Sequence, residues 1–211
     1  MLQATTRLGN RVLPPCLPQF VHVNRYYDSM HQCFAAKILP GEYYISTRGE
    51  MITTVLGSCV AVCAYDPEIQ VGGMNHFMLP GQAGDEPGKC RKQRFNERLR
   101  YGRSAIDALL GDLLRLGCKQ QNLVIKVFGG AQVFGDKGVV GRLNAEYCRS
   151  YFLEKGIMIA VEDTGSQFPR KIKFSPLTGK VMVKRLKSLK NDTIERREGN
   201  YRRGMPIEWP R

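Results

Sequence analysis

Two apolar segments joined by a single turn constrain the fold of this chain most. Residues 60–65 form an unbroken apolar, partly β-branched run, Asp66-Pro67-Glu68-Ile69 has turn chemistry, and an apolar pattern resumes over 70–79. This reads as strand, four-residue loop, strand: an antiparallel hairpin. Pairing Tyr65 with Gln70 sets Val60 opposite Asn75 and Cys59 opposite His76. Directly opposed residues share a face, with Cβ atoms about 4.5 to 5.5 Å apart. A thiol and an imidazole at that separation can share a proton.

The pairing matters because the thiolate, not the thiol, is the nucleophile. A cysteine thiol has an ordinary pKa of about 8.5, and a neighbouring imidazolium lowers it. Gly57-Ser58 just before the thiol permits a sharp turn, so backbone N–H donors and a substrate carbonyl can approach the sulfur together. The same residues also have a plain reading. A cysteine in an apolar run is commonly a small buried hydrophobe, and a histidine near a strand end is commonly a satisfied polar residue. Thr53, in the β-branched run Ile52-Thr53-Thr54-Val55, is first of all a good strand residue.

Downstream the periodicity changes to that of helices. Residues 101–116 place Ile106, Leu109, Leu110, Leu113 and Leu114 on one stripe and end at Gly117, while 143–155 place Leu143, Tyr147, Tyr151 and Phe152 on another and end at Gly156. Each is followed by a β-rich run, 123–128 and 157–161. Residues 171–174 and 180–186 then flank Ser175-Pro176-Leu177-Thr178-Gly179 as a second hairpin. The order predicts an α+β single domain, with mixed, largely antiparallel sheet or sheets covered by two main helices. Residues 1–30 read as an extension draped over it, 31–187 as the domain and 188–211 as a basic tail; the glycine-rich loop 81–88 directly follows the histidine strand.

With these elements placed, the motifs resemble those of a family. Ile52-Thr53-Thr54-Val55-Leu56-Gly57-Ser58-Cys59-Val60 and Gly73-Met74-Asn75-His76-Phe77-Met78-Leu79-Pro80 are similar to the signature of CheD, the chemoreceptor glutamine deamidase of bacterial chemotaxis. Ala36-Lys37-Ile38-Leu39-Pro40-Gly41-Glu42-Tyr43-Tyr44, Lys126-Val127-Phe128-Gly129-Gly130-Ala131, Glu162-Asp163-Thr164-Gly165, Pro169-Arg170-Lys171 and Thr178-Gly179-Lys180-Val181 extend the resemblance collinearly over residues 20–187. It implies a thiol-dependent hydrolase that converts glutamine side chains of methyl-accepting chemotaxis receptors to glutamate, with Cys59, His76 and Thr53 as the catalytic set. No metal or organic cofactor is implied. Leu143 stands where the family commonly has an arginine before Asn144, and Gly165-Ser166 replaces a usual glycine pair. A second reading, from a different class, is a docking partner for a CheC-type phosphatase, for which the thiol would be unnecessary.

Composition bounds the alternatives. Seven cysteines, Cys16, Cys33, Cys59, Cys63, Cys90, Cys118 and Cys148, are scattered without metal-ligand spacing, which argues against zinc and for a reduced cytoplasmic protein. There is no apolar leader and no run of eighteen apolar residues, so a secreted or membrane-spanning chain is not expected. The 32 Lys+Arg against 19 Asp+Glu leave a net charge of +13. Much of it sits in the tail and in the cluster Lys89, Arg91, Lys92, Arg94, Arg98, Arg100 and Arg103. No nucleic-acid fold signature accompanies these clusters, and Gly129-Gly130 lacks the spacing of a phosphate loop. Attraction to an acidic receptor or to an anionic membrane surface accounts for the charge instead.

Overall fold

The computed structural model describes residues 7–8, 11–81, 95–132 and 139–187. The tail 188–211, most of the 81–88 loop, Cys90 and the basic residues Lys89, Arg91, Lys92 and Arg94 lie outside the described residues.

The strands are β1 (Arg7–Leu8), β2 (Arg11–Val12), β3 (Asn24–Asp28), β4 (Cys33–Lys37), β5 (Glu42–Ser46), β6 (Met51–Leu56), β7 (Val60–Asp66), β8 (Val71–His76), β9 (Val124–Gly129), β10 (Ile159–Thr164), β11 (Arg170–Phe174) and β12 (Val181–Arg185). The helices are α1 (Phe95–Arg98), α2 (Gly102–Arg115) and α3 (Val140–Glu154). Ten of the strands form two five-stranded sheets, ordered β10-β9-β7-β8-β5 and β12-β11-β6-β4-β3. Each is antiparallel apart from one parallel pair, β9 with β10 in the first and β4 with β6 in the second. The result is the α+β architecture expected from the order of periodic segments.

Central position explains the apolar run of β7. It is flanked by β8 and β9, packed by helices on one face and faced by the second sheet on the other, so both faces are buried and no polar alternation is needed. On the helix side, α2 lies over β8 and β5 and α3 over β9 and β10. Both helices stop by the same device. Gly117 (φ +96°) and Gly156 (φ +65°) take the left-handed conformation, while the N–H groups of Cys118 and Ile157 reach back to the Leu113 and Phe152 carbonyls (3.1 and 2.9 Å).

The hairpin differs from its predicted register. Its four-residue loop is 67–70 rather than 66–69, so Tyr65 pairs with Gly72, Cys63 with Met74 and Val60 with Phe77. Asp66 is the reason. It is the last residue of β7, and its buried carboxylate accepts the Glu68 N–H (2.9 Å) and the Lys119 N–H (3.1 Å), while Gln70 closes the turn at φ +55°.

The α3 stripe matches the predicted one at Tyr151 and Phe152, with Tyr147 packed against the core, and departs from it at Leu143. Leu143 and Leu153 are exposed, and the inward face is Gly141, Asn144, Ala145, Cys148, Tyr151 and Phe152. Likewise Leu114 of α2 points outward.

Part of the segment read as an extension is built into the fold. Phe20 and Val23 are in the core, and β3 is the edge strand of the second sheet. Arg25 anchors this region by donating to the Glu50 carboxylate (2.8 Å) and to the Pro14 carbonyl; Tyr44 also donates to Glu50 (2.6 Å).

Candidate active site

The chain passes from the second sheet to the first through three residues. β6 ends at Leu56, Gly57-Ser58-Cys59 make the crossing, and β7 begins at Val60. Cys59 is buried at this corner. Two backbone amides of the turn after β9 hold it, with Gly130 N–H donating to the Cys59 carbonyl and Ala131 N–H to the Gly57 carbonyl, both 2.8 Å. That approach requires glycine: at Gly129 (φ +114°), an added Cβ would fall 2.2 Å from the Cys59 carbonyl oxygen. The turn is braced from behind. Gly165 N–H donates to the Gly129 carbonyl (2.9 Å), and the fully buried Arg170 guanidinium donates to the Asp163 and Gly165 carbonyls and to the Asp163 carboxylate (2.7 Å).

His76 ends β8, one residue before Phe77, which exchanges backbone hydrogen bonds with Val60 (3.0 and 3.1 Å). In this register His76 is opposite Ala61, not Cys59. The slide from the expected pairing is two residues, and strand side chains alternate with period two, so the face is preserved. Cys59 and His76 become diagonal rather than direct neighbours, a relation that spans about 7 to 8 Å between Cα atoms and remains within side-chain reach.

The imidazole is held from the second sheet. Its Nδ1 lies 2.8 Å from Thr54 Oγ1, and Thr54 Oγ1 donates to the Ile38 carbonyl (2.9 Å). A hydroxyl has one proton. With that proton on Ile38, the contact to His76 requires Nδ1–H as donor, which leaves the lone pair on Nε2. Nε2 has no hydrogen-bond partner among the described residues. Burial pushes the His76 pKa down to about 3, so the ring is neutral at ordinary pH.

Thr53, the threonine implied by the resemblance, is not the one that meets the histidine. Adjacent strand residues face opposite ways, and Thr53 Oγ1 donates instead to the Ile172 carbonyl of β11 (2.8 Å). A sequence signal separates the two. Ile52, Thr54 and Leu56 alternate onto one face, and the apolar members of that set mark it as the inner one.

Asn144 was legible only as a neighbour of Leu143. In the structure it is fully buried, and its Nδ2 donates to the Ser58 carbonyl (3.1 Å) and the Met78 carbonyl (2.8 Å). An amide at a core-stripe position of a helix is the signal that points to it. Burial raises Cys63 and Cys148 far above the ordinary range and Cys118 to about 11, so none of these is poised to ionise. Among the described residues no group of three or more His, Cys, Asp or Glu side chains could hold a metal ion, and no helix is long and apolar enough to cross a membrane.

Comparison with known proteins places the chain in a family. The family model for CheD chemotactic sensory transduction matches residues 78–185. Three proteins named "Probable chemoreceptor glutamine deamidase CheD" are similar over most of the chain. That of Halorhodospira halophila is 45% identical over 90% of this chain and 87% of its own, and that of Hahella chejuensis 46% over 89% and 87%. The Thiobacillus denitrificans protein is 44% identical over 84% and 87%. The chain belongs to the CheD family. Within CheD terms, the family model covers Asn144 and Arg170 but begins after Cys59 and His76, so the placing of those two rests on the hairpin and the Thr54 contact.

Proposed function

We propose that this CheD protein hydrolyses glutamine side chains of chemoreceptors to glutamate, with Cys59 as nucleophile, His76 as general base and acid, and Thr54 as the group that orients His76. The observation that carries the reading is the 2.8 Å contact of His76 Nδ1 with Thr54 Oγ1: with the Thr54 proton on the Ile38 carbonyl it assigns the His76 proton to Nδ1 and the lone pair to Nε2, while burial holds the ring neutral. A resting imidazolium is disfavoured there, so thiol and imidazole rest as a neutral pair, and the proton moves as the sulfur attacks.

Sγ of Cys59 bonds to the carboxamide carbon while its proton passes to Nε2 of His76. Backbone N–H groups near Cys59 receive the charge that develops on the carbonyl oxygen. The C–N bond then breaks as His76 returns the proton to the leaving nitrogen, releasing ammonia and leaving a thioester. Water, deprotonated by His76, attacks the thioester carbon; glutamate leaves and the thiol is restored. The Thr54 contact keeps Nε2 as the proton-carrying atom throughout.

The test is incubation of a cytoplasmic chemoreceptor fragment with the protein, read by intact-mass spectrometry and peptide mapping. Wild type converts defined glutamines to glutamates, and Cys59→Ala does not. Conversion by Cys59→Ala at the wild-type rate would end the assignment of the nucleophile.

A further inference from the structure

We infer that Asn144 is a positioning residue for this reaction, holding the Cys59 loop and the end of the His76 strand in one frame. The inference rests on the reading of Cys59 and His76 given above and adds a residue which that reading does not use. Asn144 sits on the first turns of α3, fully buried, at a position where the helix otherwise presents Gly141, Ala145 and Cys148 to the core. An amide there must find partners, because a buried polar group without them is destabilising.

Its two amide hydrogens go to two backbone carbonyls on different segments of chain, one just before β7 and one just after β8. One is that of Ser58, the residue directly before Cys59; the other is that of Met78, two residues after His76. Both partners are acceptors, so the amide orientation follows from chemistry: Nδ2 must face them, and Oδ1 has no donor among the described residues.

Where the β7–β8 pairing ends, it is carried on by this side chain. Regular pairing runs from Asp66↔Val71 to Cys63↔Met74 and returns as the bridge Val60↔Phe77, with the Val62 N–H between them taken by the Asn75 side chain (2.8 Å). Ser58 and Met78 lie just beyond that bridge, where the two chains part. A single rigid amide on a helix there fixes the offset between nucleophile and base. A diagonal pair needs such a clamp more than a directly opposed one, since a small slide of either strand changes the sulfur-to-nitrogen distance.

The experiment compares Asn144→Ala and Asn144→Asp with wild type, in the full-length protein, for kcat and KM on the receptor fragment, melting temperature, and the pH profile of Cys59 alkylation by iodoacetamide. Asp keeps the shape but turns acceptors toward both carbonyls. We expect kcat per folded molecule to fall about ten- to a hundredfold in both variants while KM stays within about twofold. Asp should be the worse of the two, and the Cys59 alkylation profile should move away from that of wild type. A role confined to stability predicts lowered melting temperatures, Asp again the lower, at unchanged kcat per folded molecule and unchanged alkylation. That result, a loss confined to KM, or variants with no folded population at any temperature would each overturn the inference. Cys59→Ala, assayed beside them, separates the two levels: if it stays active the underlying assignment fails, whereas an inactive Cys59→Ala with fully active Asn144 variants removes only the clamp.

Discussion

The two sheets are built alike and serve the site differently. Each has five strands and a single parallel pair. The first is packed between α2 and α3 on one face and the second sheet on the other, and it carries both groups assigned to the chemistry, Cys59 at the entry to β7 and His76 at the end of β8. The second contributes Thr54, which meets His76 through Nδ1. Under the proposed assignment, reaction and orientation are divided between layers, and Gly57-Ser58-Cys59 joins β6 of one to β7 of the other. The lesson is that a buried histidine at the end of an interior strand is oriented by a residue of a different sheet.

The sharpest division is expected within the first sheet. His76→Ala, like Cys59→Ala, should lower deamidation by more than about a thousandfold while leaving the fold in place, checked by initial rates and circular dichroism. Next comes a contrast between neighbours in the second sheet. Thr54→Val, nearly isosteric, removes the acceptor of Nδ1–H and should lower kcat by about a hundredfold through misorientation of the ring. Thr53→Val should leave kcat within about twofold and cost roughly 1 kcal/mol of stability, measured by urea melts, because it loses only a hydrogen bond to Ile172. The opposite ranking would return the orienting role to Thr53.

Acid should expose the burial of His76. Its folded pKa, about 3, is below the unfolded value of about 6.5, so below that pH the unfolded chain takes up a proton that the folded one refuses. The stability contribution is complete above about pH 6.5 and declines on acidification, by about 3 kcal/mol near pH 4. His76→Gln should flatten the dependence of urea midpoints on pH over that range. The smallest effect belongs to the far edge of the second sheet. There Lys173, hydrogen-bonded to Asp28, holds that carboxyl well below the usual range, with His31 adding to the effect. Its contribution is present above about pH 4 and lost below it. Asp28→Asn should change stability at neutral pH by less than about 1 kcal/mol and kcat not at all.

How much of this was legible depended on whether a signal was local. Both helix ends and the second hairpin are written in turn residues and glycines that act within a few positions, and they formed where expected; the first hairpin formed with its loop one residue further on. The register did not follow, because it hangs on Asp66, whose carboxylate is bound partly by Lys119, fifty-three residues away. Because strand side chains alternate with period two, the two-residue slip leaves Cys59 and His76 on one face as diagonal rather than direct neighbours. Thr53 and Thr54 were indistinguishable by residue type, and only the inward set Ile52, Thr54, Leu56 separates them. Asn144 escaped because an apolar stripe search favours Leu143, and its value lies in two carbonyls that no sequence pattern displays.

The turn after β9 has a consequence for anyone mapping this protein by mutation. Any side chain at Gly129 collides with the carbonyl of Cys59, and the nearest relief is to displace Cys59, the proposed nucleophile. In a saturation scan scored by activity, Gly129 would therefore show the profile of a catalytic residue, intolerant even of alanine, although it has no functional group. Scored by abundance, the same position would separate from Cys59, whose replacement by alanine leaves the corner undisturbed. Running both scores on one library would sort residues that react from residues that merely leave room.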